Sequence, residues 1–231
     1  MRKVLWLLGR AKQILQTEGL ISLLRRGFSF VFSSVVRFFF AHGNYYLYQH
    51  ATGNIRNLNE ADFMPKIDNF TFKIISTNQE ADELEADGLE FGSQAITARE
   101  SLAKGGVAFC IFVGPELAHI GWVAMTEEAR KAADGLPYRV DFRNGQACTG
   151  STVTMQKYRG KGLMTYGYWK RFQYIGEKGV RTSRNAVDTS NIASQKVHAR
   201  FNPKIYAQAR YLKILRWEFW KETPLTQNGH C

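Results

Sequence analysis

The segment Gln156-Lys157-Tyr158-Arg159-Gly160-Lys161-Gly162 interleaves two glycines with cations at the junction of a Thr/Val-rich run and an amphipathic helical pattern. A glycine loop that opens a helix is an anion-binding device. The first backbone N–H groups of a helix have no intrahelical acceptor, and the aligned peptide dipoles concentrate positive potential there. Gly160 and Gly162 let the main chain approach a phosphate with no side chain between them. Arg159 and Lys161 add charge-assisted contacts. A diphosphate fits such a mouth. The segment lacks both the Gly-x-x-x-x-Gly-Lys-Ser/Thr and the Gly-x-Gly-x-x-Gly spacings of common nucleotide loops. Taken alone, it reads equally as a solvated basic turn.

The elements that must position this loop follow from periodicity. Residues 146–156 are rich in Thr and Val and read as a strand. Leu163, Tyr166, Trp169, Lys170 and Gln173 fall on successive turns of a helix that ends in the glycines at 176 and 179. Upstream, residues 70–76 alternate as a strand and 80–104 carry helical spacing. Residues 107–113 and 117–125 form a hairpin about Gly114-Pro115-Glu116. Downstream come a strand at 180–187, a short helix at 190–200 and one or two aromatic strands over 205–220. Hairpins mixed with one strand–helix–strand crossover imply an α+β fold with a mixed, mostly antiparallel sheet and flanking helices.

The chain has 231 residues, 45% hydrophobic and 22% charged, a globular composition with room for one domain and an appendage. Of the net charge of +11, +6 lies in residues 1–50. There, Leu20, Leu23, Leu24, Phe28, Val31, Phe32, Val35, Val36 and Phe39 form an apolar helical face opposite Arg25, Arg26, Ser29, Ser33 and Arg37. Residues 1–50 therefore read as a basic amphipathic helical extension. Within it, 1–42 form helix suited either to an anionic membrane surface or to the protein's own core or a homodimer partner, and 44–50 form a short edge strand or docking segment. Residues 51–69 read as a linker, 70–222 as the main domain and 223–231 as a tail. The longest apolar stretch is shorter than the ~20 residues a bilayer crossing requires. Cys110, Cys148 and Cys231 are widely spaced, with no Cys-x-x-Cys pair to suggest a metal, so a reduced cytoplasmic protein without metal is expected, peripheral on the inner face of the membrane if the helix binds lipid. Nucleic-acid binding rests on net charge alone and is the weaker expectation.

Arg159-Gly160-Lys161-Gly162-Leu163-Met164 resembles the Arg/Gln-x-x-Gly-x-Gly/Ala diphosphate loop of the GNAT superfamily of N-acyltransferases, with Met164 where Gly or Ala is usual. The lead-in Val153-Thr154-Met155-Gln156 resembles that family's strand before the loop, with Gln156 in place of a common proline. A second segment, Asp188-Thr189-Ser190-Asn191-Ile192-Ala193-Ser194, resembles the family's stretch after its fifth strand. The resemblance covers roughly residues 105–202. It implies a GNAT-like fold and acetyl-CoA or another acyl-CoA as cosubstrate. The cosubstrate contacts it implies are Thr154, Gln156, Arg159, Gly160, Lys161, Gly162, Leu163, Met164, Asn191 and Ser194. It further implies that His198, seven residues after Asn191 where many members carry a tyrosine, is the acid that protonates the departing thiolate. Asn191 and Ser194 read equally as helix caps, and His198 as a satisfied interior histidine.

The implied reaction is direct attack by a primary amine, small or carrier-linked, on the thioester, with main-chain N–H groups near residues 152–154 holding the oxyanion. An amino sugar is one such amine. His119, Asp141 and Asp188 are the candidate bases, and Cys148 is a weaker candidate for a covalent route. The competing expectation is a catalytically silent GNAT-like module that docks to a membrane or a protein partner.

Overall fold

A computed structural model describes residues 40–55, 58–91 and 98–225. The amphipathic pattern of residues 20–39 lies outside the described residues. Eight strands and six α-helices occur among those described. The strands are β1 (Phe40–Ala51), β2 (Phe70–Ile75), β3 (Val107–Val113), β4 (Glu116–Ala124), β5 (Gln146–Thr154), β6 (Thr182–Asp188), β7 (Lys204–Ile214) and β8 (Trp217–Pro224). The helices are α1 (Thr52–Ile55), α2 (Asn78–Ala86), α3 (Ala98–Ala103), α4 (Glu127–Ala133), α5 (Leu163–Glu177) and α6 (Ile192–Ala199). The strand order is β2-β3-β4-β5-β6-β1-β7-β8. The β2–β3, β3–β4, β4–β5 and β1–β6 pairs are antiparallel, and β5–β6 is parallel. This is the α+β mixed sheet expected.

Three expectations need correction. Residues 40–51 are not the end of a helical extension or an edge strand. They form β1, which pairs with β6 from Tyr45↔Asp188 to Ala51↔Thr182 and has β7 on its other side. Aromatic and β-branched residues favour strands, but a partner some 140 residues downstream leaves no local trace. The stretch read as a linker contributes Ile55 and Phe63 to the core, with Leu58 and Ile67 packed against it. The single helix expected over 80–104 is two. A capping box between Thr77 and Glu80 starts α2, and the chain leaves it at Asp87-Gly88, where Gly88 takes φ 85°. At the far end, β8 runs to Pro224, into the expected tail.

Two clusters form the core. One holds α5, whose Leu163, Tyr166, Trp169, Phe172 and Ile175 recur every three or four residues and pack on Val107, Phe109, Ile111 and Val123 of the hairpin. Phe172 is wholly buried, and its truncation to alanine would cost about 3–5 kcal/mol. The other packs Ala81, Ala98, Leu102 and Phe91 on Cys110, Phe112, Ile120 and Trp122, the alternate side chains of β3 and β4. The chain divides into two compact units. Among the described residues the larger holds Asn44–Ala209 and Glu222–Leu225; the smaller includes Arg210–Lys221, the outer part of the β7–β8 hairpin. Within the smaller unit Lys213 pairs with Glu218 at 3.0 Å. Among the described residues no helix is long and apolar enough to cross a membrane.

Candidate functional site

Strands β5 and β6 are paired only from Gln146↔Thr182 to Cys148↔Arg184. Beyond Cys148 they part, and the opening is a cavity of about 810 Å³, within the range that holds a cofactor-sized ligand. Thr152, Thr154, Arg159 and Gly160 line one side; Ala186, Asp188, Asn191 and Ser194 line the other. The start of α5 lies between them.

A bulge shapes the β5 wall. Ile120 pairs with Val153 and Trp122 with Gly150, so Gly121 faces two β5 residues, Ser151 and Thr152. Ser151 takes φ 43°. The extra residue reverses the alternation. Gly150 faces Asp134, whereas Thr152 turns to the α5 side, where Arg171 Nη1 donates to its Oγ1 at 3.0 Å. Gly121 makes room for this: a Cβ there would sit 2.7 Å from the guanidinium carbon of Arg171.

The glycine loop is pinned from outside and open inward. Lys157 and Tyr158 both bind the Glu116 carboxylate, Tyr158 Oη at 3.0 Å. Arg159 Nε donates to the Thr154 carbonyl at 3.3 Å, and the Lys66 N–H donates to the Lys161 carbonyl at 2.8 Å. Gly160 and Gly162 take φ 75° and 83°, values that favour glycine strongly. Gly162 caps α5 without a side chain, and among the described residues no side-chain acceptor satisfies the first N–H groups of the helix. Those amides, with Arg159 and Lys196, face a cavity whose one carboxylate among the described residues is Asp188. The potential favours an anion.

Of the residues expected to contact a cosubstrate, Thr154, Arg159, Gly160, Gly162, Leu163, Met164, Asn191 and Ser194 line the cavity. Gln156 and Lys161 do not; both are exposed beside it. Met164 is half-buried, packing partly on the core while lining the cavity. Asn191 is a helix cap as well as a lining residue, its Oδ1 accepting from the Ser194 N–H at 3.0 Å.

His198 is not at the cavity. It is fully buried, with Nδ1 3.1 Å from His50 Nε2 and Nε2 3.1 Å from Asn185 Nδ2. Its ring stacks on Tyr48 and meets Tyr168 edge-on. Burial, then the neighbouring His50 and Arg171 charges, hold its pKa well below the usual histidine value. A ring that stays neutral, with both nitrogens engaged, does not protonate a thiolate in the cavity. Its position within the helix is as expected, but the face it occupies is turned to β1.

The other candidates divide in the same way. His119 is buried and pushed down to about 3 by desolvation and by Arg171, with Nδ1 2.8 Å from Thr154 Oγ1. Asp141 caps a turn at Asn144, away from the cavity. Cys148 is buried, 3.0 Å from Tyr138 Oη, and its thiol is raised to about 12, chiefly by burial. That is no nucleophile. Asp188 does line the cavity, with Oδ1 accepting from the Ser190 N–H and Oγ at 2.7 and 2.6 Å.

Two residues went unnoticed as site residues. Tyr168 lines the cavity, and its hydroxyl oxygen lies 3.5 Å from Thr152 Oγ1 and 3.3 Å from Asn185 Nδ2. Arg171 is wholly buried with no carboxylate partner among the described residues, and its guanidinium lies 3.7 Å from the Tyr168 ring centroid. The available signal was an arginine on the apolar stripe of α5 with no acid three or four residues away.

No protein-family model matches the sequence, nor does any curated protein. Solved structures do match. One from Drosophila melanogaster is 12% identical with a TM-score of 0.51, over 82% of this chain and 58% of that one. A GCN5-related N-acetyltransferase-like protein from Streptococcus suis is 14% identical with a TM-score of 0.48, over 84% and 67%. The glucosamine N-acetyltransferase region of a fungal multidomain β-N-acetylglucosaminidase is 11% identical with a TM-score of 0.48, over 87% and 23%. The fold is GNAT-like. At these identities the likeness is one of fold.

Proposed function

We propose that this protein transfers an acyl group, acetyl in the simplest case, from a coenzyme A ester to a primary amine. The observation that carries the reading is the uncapped start of α5, which opens between two glycines of positive φ into the cleft where β5 and β6 part. The donor set fits a diphosphate: free helical amides, the Arg159 guanidinium and a lining with one carboxylate among the described residues. Asn191 and Ser194 flank the path of the pantetheine arm. The β5 edge over residues 150–154 has no ladder partner from β6 among the described residues and offers main-chain N–H groups to the thioester oxygen.

Tyr168 takes the role expected of His198. Arg171 donates to Thr152, Thr152 Oγ1 donates toward Tyr168 Oη, and Asn185 Nδ2 donates to the same oxygen. A phenol that accepts two hydrogen bonds keeps its own proton for a group in the cavity, here the departing thiolate. Asp188 is the carboxylate placed to receive the proton of the attacking amine, directly or through water.

One observation favours a second reading, a binding module without catalysis. The single lining carboxylate spends an oxygen on Ser190 and leaves the base weakly placed. Calorimetry with CoA separates binding from its absence. Wild type should bind with a 1:1 stoichiometry, and Arg159→Ala should weaken binding about tenfold, the worth of one charge-assisted contact. Absence of binding in both would end the acyltransfer reading. Tight binding with no acetyl transfer to any amine would favour the silent module.

A further inference from the structure

Beside α4, where β5 and β6 are still paired, lies a second recess of about 420 Å³ lined by Glu127, Arg130, Tyr138, Arg139, Asp141 and Arg184. Its basic residues outnumber its acids, and the acids are spent. Glu127 binds Arg130 through both oxygens, at 2.9 and 2.8 Å. Asp141 accepts from the backbone and side-chain nitrogens of Asn144. Among the described residues neither Arg139 nor Arg184 pairs with a carboxylate.

Arg184 is held in place rather than waving in solvent. Its guanidinium lies 4.5 Å from the Tyr206 ring centroid. Nη1 donates to the Arg139 carbonyl at 3.3 Å and Nη2 to Gln49 Oε1 at 3.4 Å. The Tyr206 hydroxyl beside it is a further neutral partner of the same side chain. A guanidinium fixed by neutral partners alone keeps its full charge, and the group that complements it is an oxyanion.

The recess and the cleft share a face of β6. Ser183, Asn185 and Val187 point into the core, so Arg184, Ala186 and Asp188 point the other way. Arg184 lines the recess; Ala186 and Asp188 line the cleft. Alternate strand residues are about 7 Å apart. An anionic group bound at Arg184 therefore lies a few bonds from the opening where a thioester would sit.

Building on the acyltransfer reading above, we infer that this recess binds the anionic group of the acceptor, so that the substrate is a compact primary amine bearing a carboxylate or a phosphate. Arg139 and Arg184 grip the oxyanion, and the amine reaches along β6 to the near edge of the cleft at Ala186.

The test uses the full chain, acetyl-CoA and matched acceptor pairs: β-alanine against propylamine, and O-phosphoethanolamine against ethanolamine, followed by thiol release. In wild type the charged member of at least one pair should have a kcat/KM about tenfold higher or more. Which pair shows the gap distinguishes carboxylate from phosphate. Arg184→Gln and the exposed Arg139→Gln should each close the gap, mainly through KM, while calorimetric affinity for CoA stays within twofold of wild type. Equal use of both members, or a gap that survives both variants, overturns the inference and leaves the acyltransfer reading standing. Wild type that binds no CoA ends both. A measurement independent of turnover follows the arginine Nε–H resonances during titration with inorganic phosphate and with acetate, CoA being saturating so that the glycine loop is filled. Saturable shifts with either anion that vanish in Arg139→Gln support the recess. No shift with either overturns it, whatever the acceptor pairs show.

Discussion

The glycine loop and the His50–His198 pair are opposite cases of the same question. Both present groups suited to catalysis, the one through bare amides, the other through imidazoles. In the loop those groups are left unsatisfied and face a cavity. In the histidine pair, one nitrogen of each ring bonds the other ring and Asn185 takes the second nitrogen of His198, so that His50 Nδ1 alone is left without a partner among the described residues. The cost of a buried unpaired polar group is the cue: a fold tolerates open donors where a ligand or water completes them and closes them elsewhere. His119 is intermediate, one nitrogen bonded to Thr154 and the other unpartnered against Gly167.

The comparison breaks first on kinetics. Tyr168→Phe should lower kcat by about 10²- to 10³-fold, the usual worth of a positioned general acid, with CoA affinity nearly unchanged. His198→Gln should leave the turnover of the folded fraction within a few-fold while lowering the thermal midpoint. The reverse pattern would return the acid role to His198. Pre-steady-state thiol release separates the two.

A smaller effect, in pH-dependent stability, sharpens the same contrast. Unfolded histidines titrate near 6.5. Burial holds His50 and His119 down to about 3, and His198 well below its usual value. The unfolded chain then binds more protons than the folded one, so stability is full above about pH 6.5 and is lost as pH falls toward 3. His50 and His119 should each account for about 2 kcal/mol between pH 7 and 5 by this linkage, and His198 adds in the same direction. Chemical denaturation at the two pH values measures it, and replacing His50 with Phe should flatten the dependence. A pH-independent midpoint over that range would mean that these rings are protonated or exposed in the native state.

Much of the fold was legible because its signals are local. The β3–β4 hairpin, the strand into the loop and the α5 stripe came from spacing, and glycine placement marked the helix mouth. What stayed hidden depends on distant partners. Asn44 to His50 reads as a strand, but its place between β6 and β7 is decided by residues far along the chain. Ile55 and Phe63 sit among Asn, Gly and Pro residues that imitate a linker, and their burial requires α5. Within the site, the backbone contribution of residues 160–164 was readable from two glycines. Tyr168 looked like one more member of an apolar stripe. Its exposure to the cleft follows from the β5 bulge at Ser151, which turns Thr152 onto the same side. No sequence spacing announces a bulge.

The central claim is that the open amides at the start of α5 grip a coenzyme A diphosphate, and a crystal structure of the full chain with acetyl-CoA tests it most directly. The account predicts diphosphate oxygens within about 3 Å of the N–H groups of residues 160–164, with the thioester between β5 and β6 near Tyr168. A cosubstrate bound elsewhere, with those amides still facing solvent, would contradict it.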